Sequence, residues 1–315
     1  MNAPVQATDR LAITLCGIRL RNPVLAASGT CAYGVEFNRQ VNWASVGGLI
    51  VKGLSREPIA GNPSPRLWET HGGMLNSVGL QNIGVRAFVD TRLPALRAID
   101  TAVFANVFGY AVDDYVEVVR VLEDAEGLAG YELNVSCPNT RHGGVQFGSD
   151  PALLAEVVGG ARRHARRPLI VKLSPNVARI EPMARAAEEA GADAVSLVNT
   201  IVALAVDARA RQPRIAAGFA GLSGPAIKPI ALRMVYEAAR AVRIPVIGLG
   251  GIATGEDAAE FLVAGASAVE VGTAAFWDPE SPARVARELD RFLVEENIAH
   301  VSALVGTLVM GDRRA

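Results

Sequence analysis

The chain has 315 residues, half of them apolar, enough for one large domain with a sizeable core. Its 31 Lys and Arg against 32 Asp and Glu leave a net charge of −1, which argues against nucleic acid or a polybasic membrane contact as the main partner. No apolar run approaches a membrane span, "MNAPVQATDR" holds no signal-peptide core, and three scattered cysteines suit a reduced cytoplasm better than a disulfide framework.

The opening "LAITLCGIRLRN" reads as a small hairpin. Eight short apolar runs then follow in order. They are "NPVLAAS" (22–28), "GGLIVKG" (47–53), "AVFANVFG" (102–109), "YELNVSCPN" (131–139), "PLIVKLSP" (168–175), "DAVSLVNT" (193–200), "IPVIGLGG" (244–251) and "SAVEVGTA" (267–274). Helical segments lie between several of them. "EPMARAAEEAGA" ends at Gly191, and "TGEDAAEFLVAGA" opens on Thr254 with Asp257 three residues later, the spacing of a capping box. Strand and helix alternating eight times predicts an α/β fold of one domain over 1–315, a (β/α)8 TIM barrel. The hairpin would close its bottom, and insertions would follow strands 2, 4 and 6. Long insertions in a compact domain usually serve function.

Binding groups in this architecture gather where the strands end. Those ends carry Ser28, Lys52, Asn106, Asn134 with Cys137 just beyond, Lys172, Asn199 with Thr200, Gly250 with Gly251, and Gly272 with Thr273. Eight polar or glycine endings in phase exceed what turn chemistry alone requires. The glycines after strands seven and eight suit a phosphate held by backbone N–H groups. Gly248, Gly250 and Ala253 also match a relaxed dinucleotide pattern, with Glu270 twenty residues past Gly250, but that pattern belongs to a first βα turn and not a seventh. Lys52 and Lys172 would set two cations over an anionic ligand, a phosphate or an electron-rich ring. Lys172 as a Schiff-base former is the alternative. Asn76, Asn106, Asn134, Asn139 and Asn199 offer donors and acceptors that suit a pyrimidine edge.

Cys137 has three open readings: a buried structural thiol, a nucleophile served by His142, or a general base. At a reference pKa of about 8.5, roughly a tenth of a thiol is ionised near pH 7.5, enough to remove a C–H proton in fixed geometry. "PNTRHGGVQFGSD" after it could serve as a lid. Cys16 and Cys31 read as packing residues. The four histidines form no ligand spacing, so no metal site is expected.

Together these pieces resemble a known family. "VKGLSREPIAGNPSPRLWET", "GGMLNSVGLQNIGV", "ELNVSCPNT", "VKLSPN", "VNT", "AGLSGPAIKPIALRMV" and "IPVIGLGGIATGEDAAEFLVAGASAVEVGTA" resemble the class 1 dihydroorotate dehydrogenases, flavin enzymes of pyrimidine biosynthesis. The "ET…GMLNS.GLQN" form looks most like class 1B, the NAD-linked branch. Class 2 enzymes carry an N-terminal helical extension and a serine base, neither of which matches this chain.

The resemblance implies oxidation of dihydroorotate to orotate with FMN as cofactor. Ser28, Lys52, Gly53, Asn106, Asn134, Lys172, Val198 and Gly224 would contact it, and Gly250, Gly251, Gly272 and Thr273 would hold its phosphate. Lys52, Asn76, Ser77, Val78, Gly79, Leu80, Asn134, Asn139, Asn199 and Thr200 would form the substrate pocket. Cys137 would remove the C5 proton while flavin N5 takes the C6 hydride. Class 1B further implies a homodimer joined into a heterotetramer with a subunit carrying FAD and a [2Fe–2S] cluster, which passes electrons to NAD⁺. "SGTCAYG" departs from the family at Cys31 and Ala32. Competing readings are a dihydropyrimidine dehydrogenase relative, a Schiff-base lyase, a tRNA-modifying flavin enzyme and a flavin-binding module without catalysis.

Overall fold

All eight apolar runs form strands, and the strands close on themselves. The computed structural model describes residues 10–135 and 147–311. A short antiparallel hairpin comes first, β1 (Ile13–Leu15) with β2 (Ile18–Leu20). The barrel strands are β3 (Val24–Ala26), β4 (Gly48–Ile50), β7 (Ala102–Val107), β8 (Gly130–Asn134), β9 (Leu169–Lys172), β10 (Ala194–Leu197), β15 (Val246–Leu249) and β16 (Ala268–Val271). Each pairs in parallel with the next, and β16 returns to β3. The expected (β/α)8 barrel is therefore what the chain adopts.

Inward-facing side chains of a barrel alternate along each strand. The lower layer here is apolar: Leu25, Ile50, Phe104, Ile170, Ile247 and Ala268 pack with Leu15 and Leu20 of the hairpin. The hairpin thus seals the end of the barrel opposite the strand ends. Two residues further along the strands the interior turns polar, as Phe104 gives way to Asn106, Ile170 to Lys172, Ala194 to Ser196 and Ala268 to Glu270. That second layer supports the site.

Helices cover the outside with their apolar stripes. The helix Gly255–Ala264 shows how sequence sets a boundary. Thr254 Oγ1 accepts from Asp257 N at 3.1 Å, and Asp257 Oδ2 accepts from Thr254 N at 2.8 Å. Thr254→Ala removes one half of this box and is expected to lower stability by about 0.5–2 kcal/mol, measured by urea unfolding.

The insertions after the second and sixth barrel strands do more than the spacing indicated. The first contains β5 (Leu67–Thr70) and β6 (Gly73–Asn76). The second contains β11 (Ile201–Ala203), β12 (Val206–Asp207), β13 (Gln212–Pro213) and β14 (Ala220–Ser223). Four of these strands join into one antiparallel sheet in the order β11-β14-β6-β5, with Asn76 opposite Gly221. Most of the insertion after the fourth barrel strand lies outside the described residues.

Candidate active site

Two adjoining cavities open at the strand ends. The larger, about 380 Å³, is walled by Lys52, Gly53, Asn106 and Asn134 from the barrel and by Asn76, Ser77, Val78, Gly79 and Leu80 from the β5–β6 insertion. The smaller, about 170 Å³, is walled by Val198, Gly224, Gly250, Gly251, Gly272 and Thr273. Ser28, Lys172, Asn199 and Thr200 face both. Every residue expected to bind cofactor or substrate that lies within the described segments borders this paired space. Cys137 and Asn139 lie outside the described residues.

The smaller cavity is shaped by missing side chains. Gly224 has φ +100°, and a Cβ there would lie 2.7 Å from Gly73 Cα. Gly251 has φ +87°, and its Cβ would meet Lys228 Cβ at 2.8 Å and Gly224 O at 2.9 Å. Both values fall where L side chains are strained. The result is a glycine-lined cradle of backbone beside Thr273, of a kind that fits a phosphate group.

The larger cavity is lined by amides. Asn199 Nδ2 donates to Asn134 Oδ1 at 3.2 Å, and Asn199 Oδ1 accepts from Thr200 N at 2.8 Å. The Tyr115 hydroxyl donates to Asn134 O at 2.9 Å and fixes the end of β8. Asn76 Nδ2 donates to Gly221 O at 3.4 Å, tying one wall to the other insertion. Burial, and then the nearby Arg66 cation, push the Lys52 ammonium below its ordinary value. A bound anion would relieve that penalty.

Lys172 does not stand free over the cavity as the strand-end reading supposed. It is buried, with Nζ 3.1 Å from Glu270 Oε2 and 3.5 Å from Glu132 Oε1. Glu132 in turn accepts from Asn106 Nδ2 at 2.6 Å and from Ser196 Oγ at 2.8 Å. The Asn106 amide donor therefore serves Glu132. Glu132, Ser196 and Glu270 sit inside their runs and not at the ends, so the strand-end pattern does not pick them out as a group. A charge inside "YELN" and inside "AVEV" was the available signal, since a carboxylate inside an apolar strand needs a partner. A Schiff base at Lys172 is disfavoured by the same pairing. Burial lowers its affinity for the proton, but Glu132 and Glu270 outweigh that and raise it. An amine that stays charged is a poor nucleophile.

Cys16 and Cys31 behave as packing residues. Burial pushes both thiols up to about 11, so neither forms a thiolate near neutral pH. Among the described residues, no group of three His, Cys, Asp or Glu side chains could hold a metal ion. No described helix is long and apolar enough to cross a membrane.

The barrel brings an amide-lined cavity and a glycine cradle together at its polar strand ends, and comparison with known proteins identifies the family. The family model for dihydroorotate dehydrogenase matches residues 10–293, and the chain belongs to that family. A Solibacter usitatus protein with the provisional name dihydroorotate dehydrogenase A (fumarate) is 73% identical over 96% of this chain and 99% of its own length. Catalytic subunits of dihydroorotate dehydrogenase B (NAD(+)) from Geobacter sulfurreducens and Geobacter sp. strain M21 are 52% and 50% identical, each over 95% of this chain and 98% of its own length.

These relatives correct the assignment to the NAD-linked class 1B. The much higher identity is to the protein named for fumarate, which points to class 1A. The reason for the error is visible in the site. The "GMLNS.GLQN" motif places Asn76 to Leu80 against the larger cavity. Residues expected to serve a substrate shared by both branches carry no information about the electron acceptor.

Proposed function

We propose that the chain oxidises dihydroorotate to orotate with bound FMN, in pyrimidine biosynthesis. The observation that carries this reading is the pairing of the two cavities, one glycine-cradled and one amide-lined, with Lys172 and Ser28 bordering both. FMN fits the pair: its phosphate suits the cradle of Gly250, Gly251, Gly272 and Thr273. Its ring suits the ground between Ser28, Lys52, Asn106, Asn134 and Lys172. Bound there, FMN supplies the acceptor for the C6 hydride. The chain supplies the rest. Lys52 meets the substrate carboxylate, Asn76, Asn134, Asn139 and Asn199 hold the ring edge, and Cys137 takes the C5 proton, which an adjacent carbonyl makes weakly acidic.

Anaerobic addition of dihydroorotate is expected to bleach the flavin spectrum. Bleaching by dihydrouracil and not dihydroorotate would assign the chain to dihydropyrimidine chemistry instead. Gly251→Ala is expected to weaken FMN retention by about 5- to 150-fold, from about 1–3 kcal/mol of backbone strain, read by fluorescence of released flavin.

For the acceptor we propose fumarate, supported by the name of the 73% identical relative. On this reading a partner subunit with FAD and a [2Fe–2S] cluster is not required. Turnover with NAD⁺ only beside such a flavoprotein, and none with fumarate, would overturn it. A second copy of the chain is proposed to cover the outer sheet, where Leu204 and Phe219 are 50% and 64% exposed. Light scattering of the purified protein should give a dimer mass.

A further inference from the structure

The charge layer inside the barrel does not balance. With Glu132, Lys172 and Glu270 all ionised, one negative charge is left over on side chains that are almost wholly buried, at the edge of the smaller cavity. A buried, uncompensated carboxylate is among the least favourable groups a protein can hold. The two carboxyls also differ in their surroundings. Both oxygens of Glu132 accept hydrogen bonds, from Asn106 and Ser196, and it faces the Lys172 ammonium as well. Those are the surroundings of an ionised carboxylate. Glu270 accepts from Lys172 through Oε2, its buried Oε1 accepts from no donor among the described residues, and its carboxyl lies within hydrogen-bonding reach of Glu132, to which a protonated Glu270 can donate. Its neighbours in register, Leu249 on β15 and Leu25 on β3, bring no charge.

We propose that Glu270 is a neutral carboxylic acid near neutral pH and acts as the positioning residue for Lys172, anchoring the ammonium without adding a second negative charge beneath the cofactor cavity. Burial first, and then the Glu132 charge, hold the Glu270 carboxyl well above the usual carboxylate range, with Lys172 opposing. Glu132 goes the other way: burial raises it, but Lys172 and its hydrogen-bond donors outweigh that and keep it below its ordinary value. Among the described residues, Glu132, Lys172 and Glu270 are the titratable groups in mutual contact here; Lys52, two residues past Ile50, is influenced by Arg66 and not by this cluster. Its other polar members, Asn106 and Ser196, do not titrate. The consequence for redox chemistry rests on the FMN reading; the proton assignment does not. While Glu270 keeps its proton, the cluster is neutral and tolerates an electron-rich ring above it. When Glu270 releases that proton at alkaline pH, the cluster becomes negative and opposes charge on the reduced ring.

The test uses the purified protein in infrared spectroscopy, with and without its flavin. Near neutral pH the wild type should show the carbonyl stretch of a protonated carboxylic acid. That band should vanish in Glu270→Gln and in Glu270→Met. Potentiometry of the flavin should then show a downward step in midpoint potential at alkaline pH in the wild type that Glu270→Gln lacks. A wild type without the band, or a band that survives both substitutions, overturns the proton assignment. A band that vanishes beside identical potential curves overturns the positioning role. A colourless protein that keeps the band would sink the FMN reading alone.

Discussion

Cys137→Ser is expected to keep its FMN and lose on the order of 10²–10⁴-fold in the rate of flavin reduction by dihydroorotate near neutral pH, the range for removing a general base. Anaerobic stopped-flow absorbance reads the rate directly. Serine's hydroxyl ionises far less readily than a thiol, so the loss should narrow as pH rises. Retained flavin with a slow half-reaction separates a missing base from a collapsed site. Wild-type rates in Cys137→Ala would remove the residue from the mechanism. The other two cysteines are suitable controls, because burial keeps both protonated at neutral pH.

The second large effect falls on stability. Lys172→Met leaves Glu132 and Glu270 facing each other with no cation, and breaking a buried pair in this way costs about 3–5 kcal/mol. The pH dependence should change as well. In the wild type, Glu132 sits below its ordinary 4.5, so its contribution is present above that value and lost on acidification through the depressed one. Lys172 sits above its ordinary 10.5, so its contribution is present below that value and lost only at higher pH. Without Lys172, a buried Glu132 is better off protonated. In the wild type Glu270, held above its ordinary 4.5, already costs stability as pH rises past that value. The variant should lose up to about 1.4 kcal/mol per pH unit more than the wild type over the same range, because Glu132 then keeps its proton too. Urea melts across pH check this. Adding Glu132→Gln should recover part of the loss; an additive or worse double variant would rule out charge as the cause.

The barrel was legible in the sequence because eight β-branched runs carry a strong local signal, and the phase of their endings pointed to one face. Ser28, Lys52, Asn106, Lys172 and the late glycines were found that way. Glu132 and Glu270 needed one more step, the two-residue alternation that separates the apolar layer from the polar one. Asn106 and Lys172 border the cavity, but their bonding was not legible, since their partners come from other strands of the barrel. The shared sheet of the two insertions was illegible for a related reason: β6 and β14 are short, and nothing local in either specifies the other. The branch of the family was not legible because the motif that suggests it lines the larger cavity, where both branches are expected to bind the same substrate.

That shared sheet has a consequence for the order of events during synthesis. Asn76 and Gly221 are joined across 145 residues of chain. A ribosome adding roughly 5–20 residues per second needs roughly 7–30 s to cover that distance. During that interval β6 has its barrel-side neighbours emerging but not the strand that pairs with its free edge. The wall carrying Asn76 to Leu80 is therefore completed late, and the nascent chain carries an open sheet edge before it carries a complete cavity. Pulse proteolysis of stalled chains should find the β5–β6 segment cleavable until β14 has cleared the exit tunnel, and protected afterwards.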